Sequence, residues 1–376
     1  LVMRALLLAF LLLVAPFSAH AADTGEFPAD ENAAVIESPD TLFRAEVLHI
    51  LDERVVAADN GKDVVQQKLE LELLEGPMRG RVVTFDGSAI PTIAASRYRE
   101  GDRVIVWWSK DPDGTDVFYV TDYVRDTRLG WLALLFAAVV VAVGRMRGLR
   151  ALAALVLSAA AIFGVIVPAL LKGVDPILIT VPVSVAALAV GILLTHGRTR
   201  QTAAAVVGVA LSLVLTGVLA WVFTAWTRIT GFGTEEASIL AMHFPSQLNM
   251  VGIYLAGVIV GTLGVLDDVV VSQAAVVEEL TAANPGLSRA ELFRRAMRVG
   301  TDHTAAVVNT LFLAYVGASL PLVLLFSIHE APFLSFRDVI NNEMIAAEVV
   351  RALVGSIGLV LTVPITTLVA VRMLRR

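Results

Sequence analysis

The chain has 376 residues, 57% of them apolar and 17% charged, with a mean hydropathy of +0.76. That balance is far from a soluble domain and is that of a polytopic membrane protein. No cysteine is present, which excludes disulfides, thiolate metal sites and cysteine nucleophiles, and the formal net charge of −6 carries less meaning than where the charges fall.

In chain order, Arg4 precedes an apolar stretch from Ala5 to Phe17, followed by the small residues Ala19 and Ala21 on either side of His20. This reads as a secretory signal peptide over residues 1–22, with an uncleaved anchor as the alternative, and it directs the next segment out of the cytoplasm. Residues 23–40 are polar and contain proline, as a linker does. From 41 to 127 the pattern changes to period two, in "KLELELLEG", "GRVVTFDG", "GDRVIVWWSK" and "DVFYVTDYV", with Gly, Pro and Asp turns between. Four or five short strands predict a small extracytoplasmic β-domain, with an OB-like barrel as the first expectation. Trp107, Trp108, Tyr98 and Phe118 suggest either a stacking platform or core packing. Neighbours on a strand point to opposite faces, so one tryptophan is core. An extracytoplasmic protein or a small molecule is the expected kind of ligand for this domain.

Residues 128–376 hold seven apolar runs, near 129–144, 151–171, 176–195, 202–226, 249–271, 304–327 and 350–371, which predict an α-helical polytopic domain of about seven spans in a lipid bilayer. Prolines 168, 182, 321 and 364 lie in or near these runs, where packed membrane helices tolerate them. Gly257, Gly261 and Gly264 in "GVIVGTLG" are placed to admit a neighbouring helix. The connections at Arg145–Arg150, Arg198–Arg200, Arg289–Arg298 and Arg372–Arg376 hold twelve arginines, against five cations in the segments that alternate with them. With the leader, this bias predicts the β-domain outside and the C-terminus in the cytoplasm of a cell membrane.

The fifth run contains "GTLGVLDDVVVSQ", where Asp267 and Asp268 stand side by side. A charged Asp near the centre of a membrane helix costs about 2.5–3.5 kcal/mol, so the pair needs a reason. Two readings stay open. The aspartates reach the headgroup region or pair with an arginine such as Arg298, or they form an ion or proton site. Adjacent helical positions differ by about 100°, so one faces a neighbouring helix while the other faces a different surface. Downstream, Ser288 and Glu291 have capping-box spacing, and 288–299 reads as a basic amphipathic helix on the inner membrane surface. Asp302, His303 and Asn309 come next, at the start of the sixth run, where a hairpin would bring them toward the aspartates. One histidine beside one carboxylate is too little to hold a metal, and no metal or cofactor is expected. Glu348 and Arg351, one turn apart, are expected to pair near the outer surface. The motifs HExxH and GxSxG are absent and no catalytic constellation forms, so the expectation is a non-enzyme that does not bind nucleic acid.

From about Asn249 to the C-terminus, "GVIVGTLGVLDDVVVSQAAVVEEL", "VGTDHTAAVVNTLFLAYVGASLPLVLL" and "EVVRALVGSIGLVLTVPITTLVA" resemble the YibE/F-like family of multipass bacterial membrane proteins. The resemblance implies a bacterial cell-membrane protein and brings no established activity or catalytic residues. More locally, "GVLDDVVVSQAAVVEELTAANPGLSRAELFRRAMRVG" is similar to one segment of the RND transporter superfamily, in which paired aspartates at the positions of Asp267 and Asp268 relay protons. The chain has no second half of that kind, and none of the seven runs has an interior lysine as counter-charge. The functional expectation is a proton- or ion-coupled transporter or permease component, a homo-oligomer completing the pathway. The alternative is a non-transporting assembly or sensory protein whose outer β-domain binds a partner.

Overall fold

The computed structural model describes residues 41–57, 63–87, 97–111, 113–244, 248–327 and 334–375. The segments expected as a signal peptide (1–22) and a linker (23–40) lie outside the described residues. The chain divides into two compact units, one ending and the other beginning within the long helix after the β-strands.

The first unit is one antiparallel sheet of five strands, β1 (Thr41–Ala57), β2 (Asp63–Leu73), β3 (Val82–Asp86), β4 (Arg103–Lys110) and β5 (Asp116–Tyr123), in the order β3-β2-β1-β4-β5. Its period-two pattern works as expected: Phe43, Ala45 and Val47 of β1, Leu69, Leu71 and Leu73 of β2, and Val104 and Val106 of β4 all turn to one buried face. Register shifts in the pairing of β1 with β2 bend the sheet. The two edges approach one another. Arg81, just before β3, pairs with Asp116 at the start of β5 at 3.2 Å, so the sheet is a half-barrel. The tryptophans divide as strand geometry requires. Trp108 packs toward the core beside Phe43 and its Nε1 donates to Asp116 at 3.0 Å. Trp107 faces the other way, against Tyr119 with ring centroids 5.5 Å apart. Tyr98 and Phe118 belong to the core cluster, so the four aromatics do not form one platform.

The second unit is helical. Helix α1 (Asp126–Ala161) is broken at Arg145, whose φ of 49° and ψ of −127° are non-helical. A Cβ on Gly148 would lie 2.2 Å from the Val140 carbonyl oxygen. Eight residues of straight helix would separate these positions by about 12 Å, so the chain doubles back at Arg145. A π-helical turn (Ile162–Ile166) leads into the short α2 (Val167–Leu171), which carries Pro168 near its start. The π turn absorbs the register disturbed where proline offers no N–H and its ring crowds the preceding turn. Then come α3 (Pro176–His196), α4 (Arg200–Trp226), α5 (Glu235–His243), α6 (Met250–Ala283), α7 (Arg289–Ala318), α8 (Leu320–Phe326), α9 (Phe336–Asn341) and α10 (Glu343–Leu374). Side chains of Asp175, Thr199, Thr234, Asn249, Ser288, Ser335 and Asn342 cap the starts of α3 to α7, α9 and α10.

Among the described residues, five stretches are long and apolar enough to cross a membrane: 126–171, α3, α4, α6 and α10. The two runs expected at 129–144 and 151–171 fall in the first of these, on either side of Arg145. The run expected at 304–327 is shared between the end of α7 and α8, which separate at Ser319 ahead of Pro321.

Helices α4, α6 and α10 pack against one another, with α3 and α7 beside them. The closest approach is reciprocal. Gly208 of α4 faces Thr366 of α10, and Gly358 of α10 faces Thr216 of α4, each glycine leaving room for less than a methyl group. The sequence expectation for "GVIVGTLG" is corrected here. Gly257 and Gly264 have open space where a Cβ would stand, and Gly261 is neared only by the Tyr315 hydroxyl. The tight contacts fall instead at glycines such as Gly208, Gly358 and Gly300, opposite Thr366, Thr216 and Val363, which the spacing on one helix does not reveal. The segment 288–299 also differs from a free surface helix. It forms the first turns of α7, and its Leu292 and Ala296 are buried against Ala204, Val277, Ala370 and Val371. Its apolar face is spent on protein, while Glu291 on the exposed side pairs with Arg294 and Arg295.

Candidate functional site

Helix α6 carries the paired aspartates in mid-course, because its apolar residues Leu263, Leu266, Val269 and Val270 continue on both sides of them and are buried. The 100° step between neighbours separates the pair as expected. Asp267 is half-buried, and its Oδ1 is shielded with no hydrogen-bond partner among the described residues. Asp268 is exposed on the outside of the helix. Neither forms an ion pair with Arg298 among the described residues.

A basic side chain that acts on Asp267 comes from another helix. His196, in the last turn of α3, lies within electrostatic reach of Asp267. The Thr195 hydroxyl donates to the Gly191 carbonyl at 2.9 Å and sits 2.7 Å from His196 Nδ1. Sequence reasoning missed His196, because nothing in "LLTHGRT" is spaced relative to an aspartate three helices further on.

The other expected residues are placed differently. Asp302, His303 and Asn309 are exposed on α7, and no hydrogen bond or ion pair joins them to Asp267 or Asp268 among the described residues. The side of α7 that meets α6 is instead built from Ala296, Gly300, Thr304 and Leu311. There Gln273 of α6, 3% exposed, donates from Nε2 to the Ala296 carbonyl at 3.0 Å and to Thr367 Oγ1 of α10 at 2.7 Å. Glu348 and Arg351 do pair, Nη1 to Oε1 at 2.6 Å, and the guanidinium stands over the Tyr254 ring at 5.5 Å.

The packed helices carry buried hydroxyls. Ser and Thr in membrane helices commonly donate back to a carbonyl one turn earlier, as Thr216, Thr362 and Thr367 do here. Among the described residues, Thr180 and Ser184 of α3, Ser212 and Thr224 of α4 and Thr366 of α10 are buried and their hydroxyls have no hydrogen-bond partner. Chemically, a half-buried carboxylate with an unpartnered oxygen can accept and hold a proton or a small cation.

No curated protein and no solved structure matches this chain. Residues 132–376 match the family described as YibE/F-like protein. That match covers well over half of the sequence, and the chain belongs to the YibE/F-like family.

Proposed function

We propose that the protein is a proton- or ion-coupled transporter or permease component of a bacterial cell membrane, in which Asp267 is the group that binds the coupling ion. The observation that carries this reading is Asp267 Oδ1, a shielded carboxylate oxygen without a protein partner in the middle of an apolar helix. Structural carboxylates in such places are paired, since burying a lone charge is costly. The likeness of "GVLDDVVVSQ" to the paired-aspartate helix of RND transporters supports the same role, with His196 in this chain supplying the counter-group that a lysine supplies elsewhere. The reading includes seven spans, counting the two arms of α1 on either side of Arg145 and the end of α7 with α8. It also includes an outside β-domain of OB-like closure, supported by the Arg81–Asp116 link between the sheet edges, and a cytoplasmic C-terminus, supported by the arginine bias. Asp302, His303 and Asn309, being exposed, are assigned to an interface with another subunit or to the entry of the pathway rather than to the ion site.

The test is proton flux into proteoliposomes at a set pH gradient. Asp267→Asn keeps size and hydrogen bonding but cannot exchange a proton. Flux should vanish in this variant while folding and expression persist, and Asp268→Asn should keep part of it. Undiminished flux in Asp267→Asn ends the proposal. A second reading, a non-transporting assembly or sensory protein, draws on the Trp107–Tyr119 pair on the non-core face of the sheet, and the absence of flux in the unaltered protein favours it.

A further inference from the structure

At the end of the bundle away from Gln273, where α6 and α10 begin, a cavity of about 240 Å³ opens between α5, α6, α10 and the connection ahead of α5. This volume lies below the range of about 300–1,000 Å³ typical of drug-sized ligands, so an occupant is a small solute. Its polar lining is Arg351, Glu348, Glu343 and Glu236, and Leu240 and Ile253 supply an apolar wall.

The lining is fixed before any ligand arrives. Tyr254, 8% exposed, donates its hydroxyl to the Ala347 carbonyl at 2.7 Å, which locks the ring beneath the Arg351 guanidinium. The Glu343 carboxylate accepts from the backbone N–H groups of Thr230 and Gly231, each at 2.9 Å, and from the Thr230 hydroxyl. That clamp ties the connection ahead of α5 to the start of α10. Arg351 is less well satisfied. Its Nη1 is bonded to Glu348, its Nε is buried without a partner, and among the described residues it makes no other hydrogen bond.

The charges select a class of ligand. Three carboxylates against one guanidinium repel a simple anion. A guanidinium with unmet donors on its fork, in turn, is poorly served by a simple cation and well served by a carboxylate, which binds such a fork in bidentate fashion. We propose that this cavity binds a small zwitterion of the α-amino carboxylate type with an apolar side chain. Its carboxylate sits on the unmet Nη donors of the Arg351 guanidinium, its ammonium on the carboxylates of Glu348 and Glu236, and its side chain lies along Leu240 and Ile253. The assignment stands on this cavity alone and does not depend on the role of Asp267.

Binding to the purified full-length protein in detergent is measured by isothermal titration calorimetry with L-leucine, isoamylamine and 4-methylpentanoate. Leucine should bind at least tenfold more tightly than the amine, which lacks the carboxylate, or the acid, which lacks the ammonium. Arg351→Lys keeps the charge but loses the fork and should weaken leucine at least tenfold. Because changes at Arg351 disturb a packed ion pair, a second variant is needed. Gly257 lines the cavity and nothing stands within 4 Å of where its Cβ would be, so Gly257→Leu puts a bulky side chain on the cavity wall and should abolish binding at an unchanged unfolding midpoint. Ethanolamine phospholipid carries a similar pairing of anion and ammonium, and protein in nanodiscs containing it supplies the competing source. A response to that lipid without one to leucine, equal binding of all three solutes, or full leucine binding by Gly257→Leu overturns the assignment.

Discussion

Replacing Gly358 by alanine tests whether the Gly and Thr contacts between α4 and α10 set the spacing of the bundle. The new Cβ would stand 2.2 Å from Thr216 Oγ1, 3.0 Å from its Cγ2 and 3.1 Å from its Cβ. Rotating Thr216 only exchanges one short contact for another, and its hydroxyl is held by the Ser212 carbonyl at 2.8 Å. The helices must therefore move apart by about 1 Å locally, and a gap of that size forfeits a quarter to a half of the contact energy of neighbouring pairs. Overpacking of this kind costs about 1–3 kcal/mol, and a clash with a locked side chain belongs at the upper end. Alanine returns up to about 1 kcal/mol of helix propensity, leaving a net loss of about 2 kcal/mol. Gly264→Ala supplies the control, because nothing lies within 4 Å of its Cβ position, and it should be neutral or stabilising. Reversible unfolding of both variants in mixed micelles gives the comparison. Adding Thr216→Ala to Gly358→Ala should recover most of the loss, since the double variant removes the atoms that collide. If Gly358→Ala proves as stable as Gly264→Ala, the reasoning about this interface is refuted.

Two further predictions concern polar groups. Gln273→Leu breaks the bridge from α6 to the Ala296 carbonyl and Thr367, and should cost about 0.6–1.7 kcal/mol, the range of interhelical hydrogen bonds in membranes, in the same unfolding assay. In the β-domain, the Thr115 N–H holds the Asp113 carboxyl below its ordinary value of 3.8, and the Tyr123 N–H followed by Arg125 does the same for Asp122. Groups depressed in the folded state add stability above their unfolded value and lose it as pH falls through the folded one. The sheet should therefore hold at neutral pH and loosen only as pH drops below 3.8, by a small amount because both carboxylates are exposed. Fluorescence of Trp107 and Trp108, with the other tryptophans replaced by phenylalanine, tracks the transition; loosening that begins well above that pH would contradict these bonds.

The sequence by itself determined the two-part organisation, because period-two patterning and long apolar runs are local properties that solvent and bilayer read residue by residue. It also determined the caps at Ser288 and the i,i+3 pair Glu348–Arg351, since both are made within a single turn. The separation of Asp267 from Asp268 came from helix geometry alone. Tertiary structure decided everything that joins one helix to another. The spacing of "GVIVGTLG" invited helix contact along α6, but the close approach occurs at Gly208 and Gly358, because a glycine allows a neighbour near only where a side chain of matching shape stands opposite. The same holds for the polar groups. Among the described residues Asp302, His303 and Asn309 form no hydrogen bond or ion pair with Asp267, while His196 acts on it electrostatically from α3. The cavity at Arg351 is assembled from α5, α6, α10 and a clamped connection. Which side chains share a buried space depends on how helices rotate about their own axes when they pack, and that rotation is fixed by the partners together, not by any one segment.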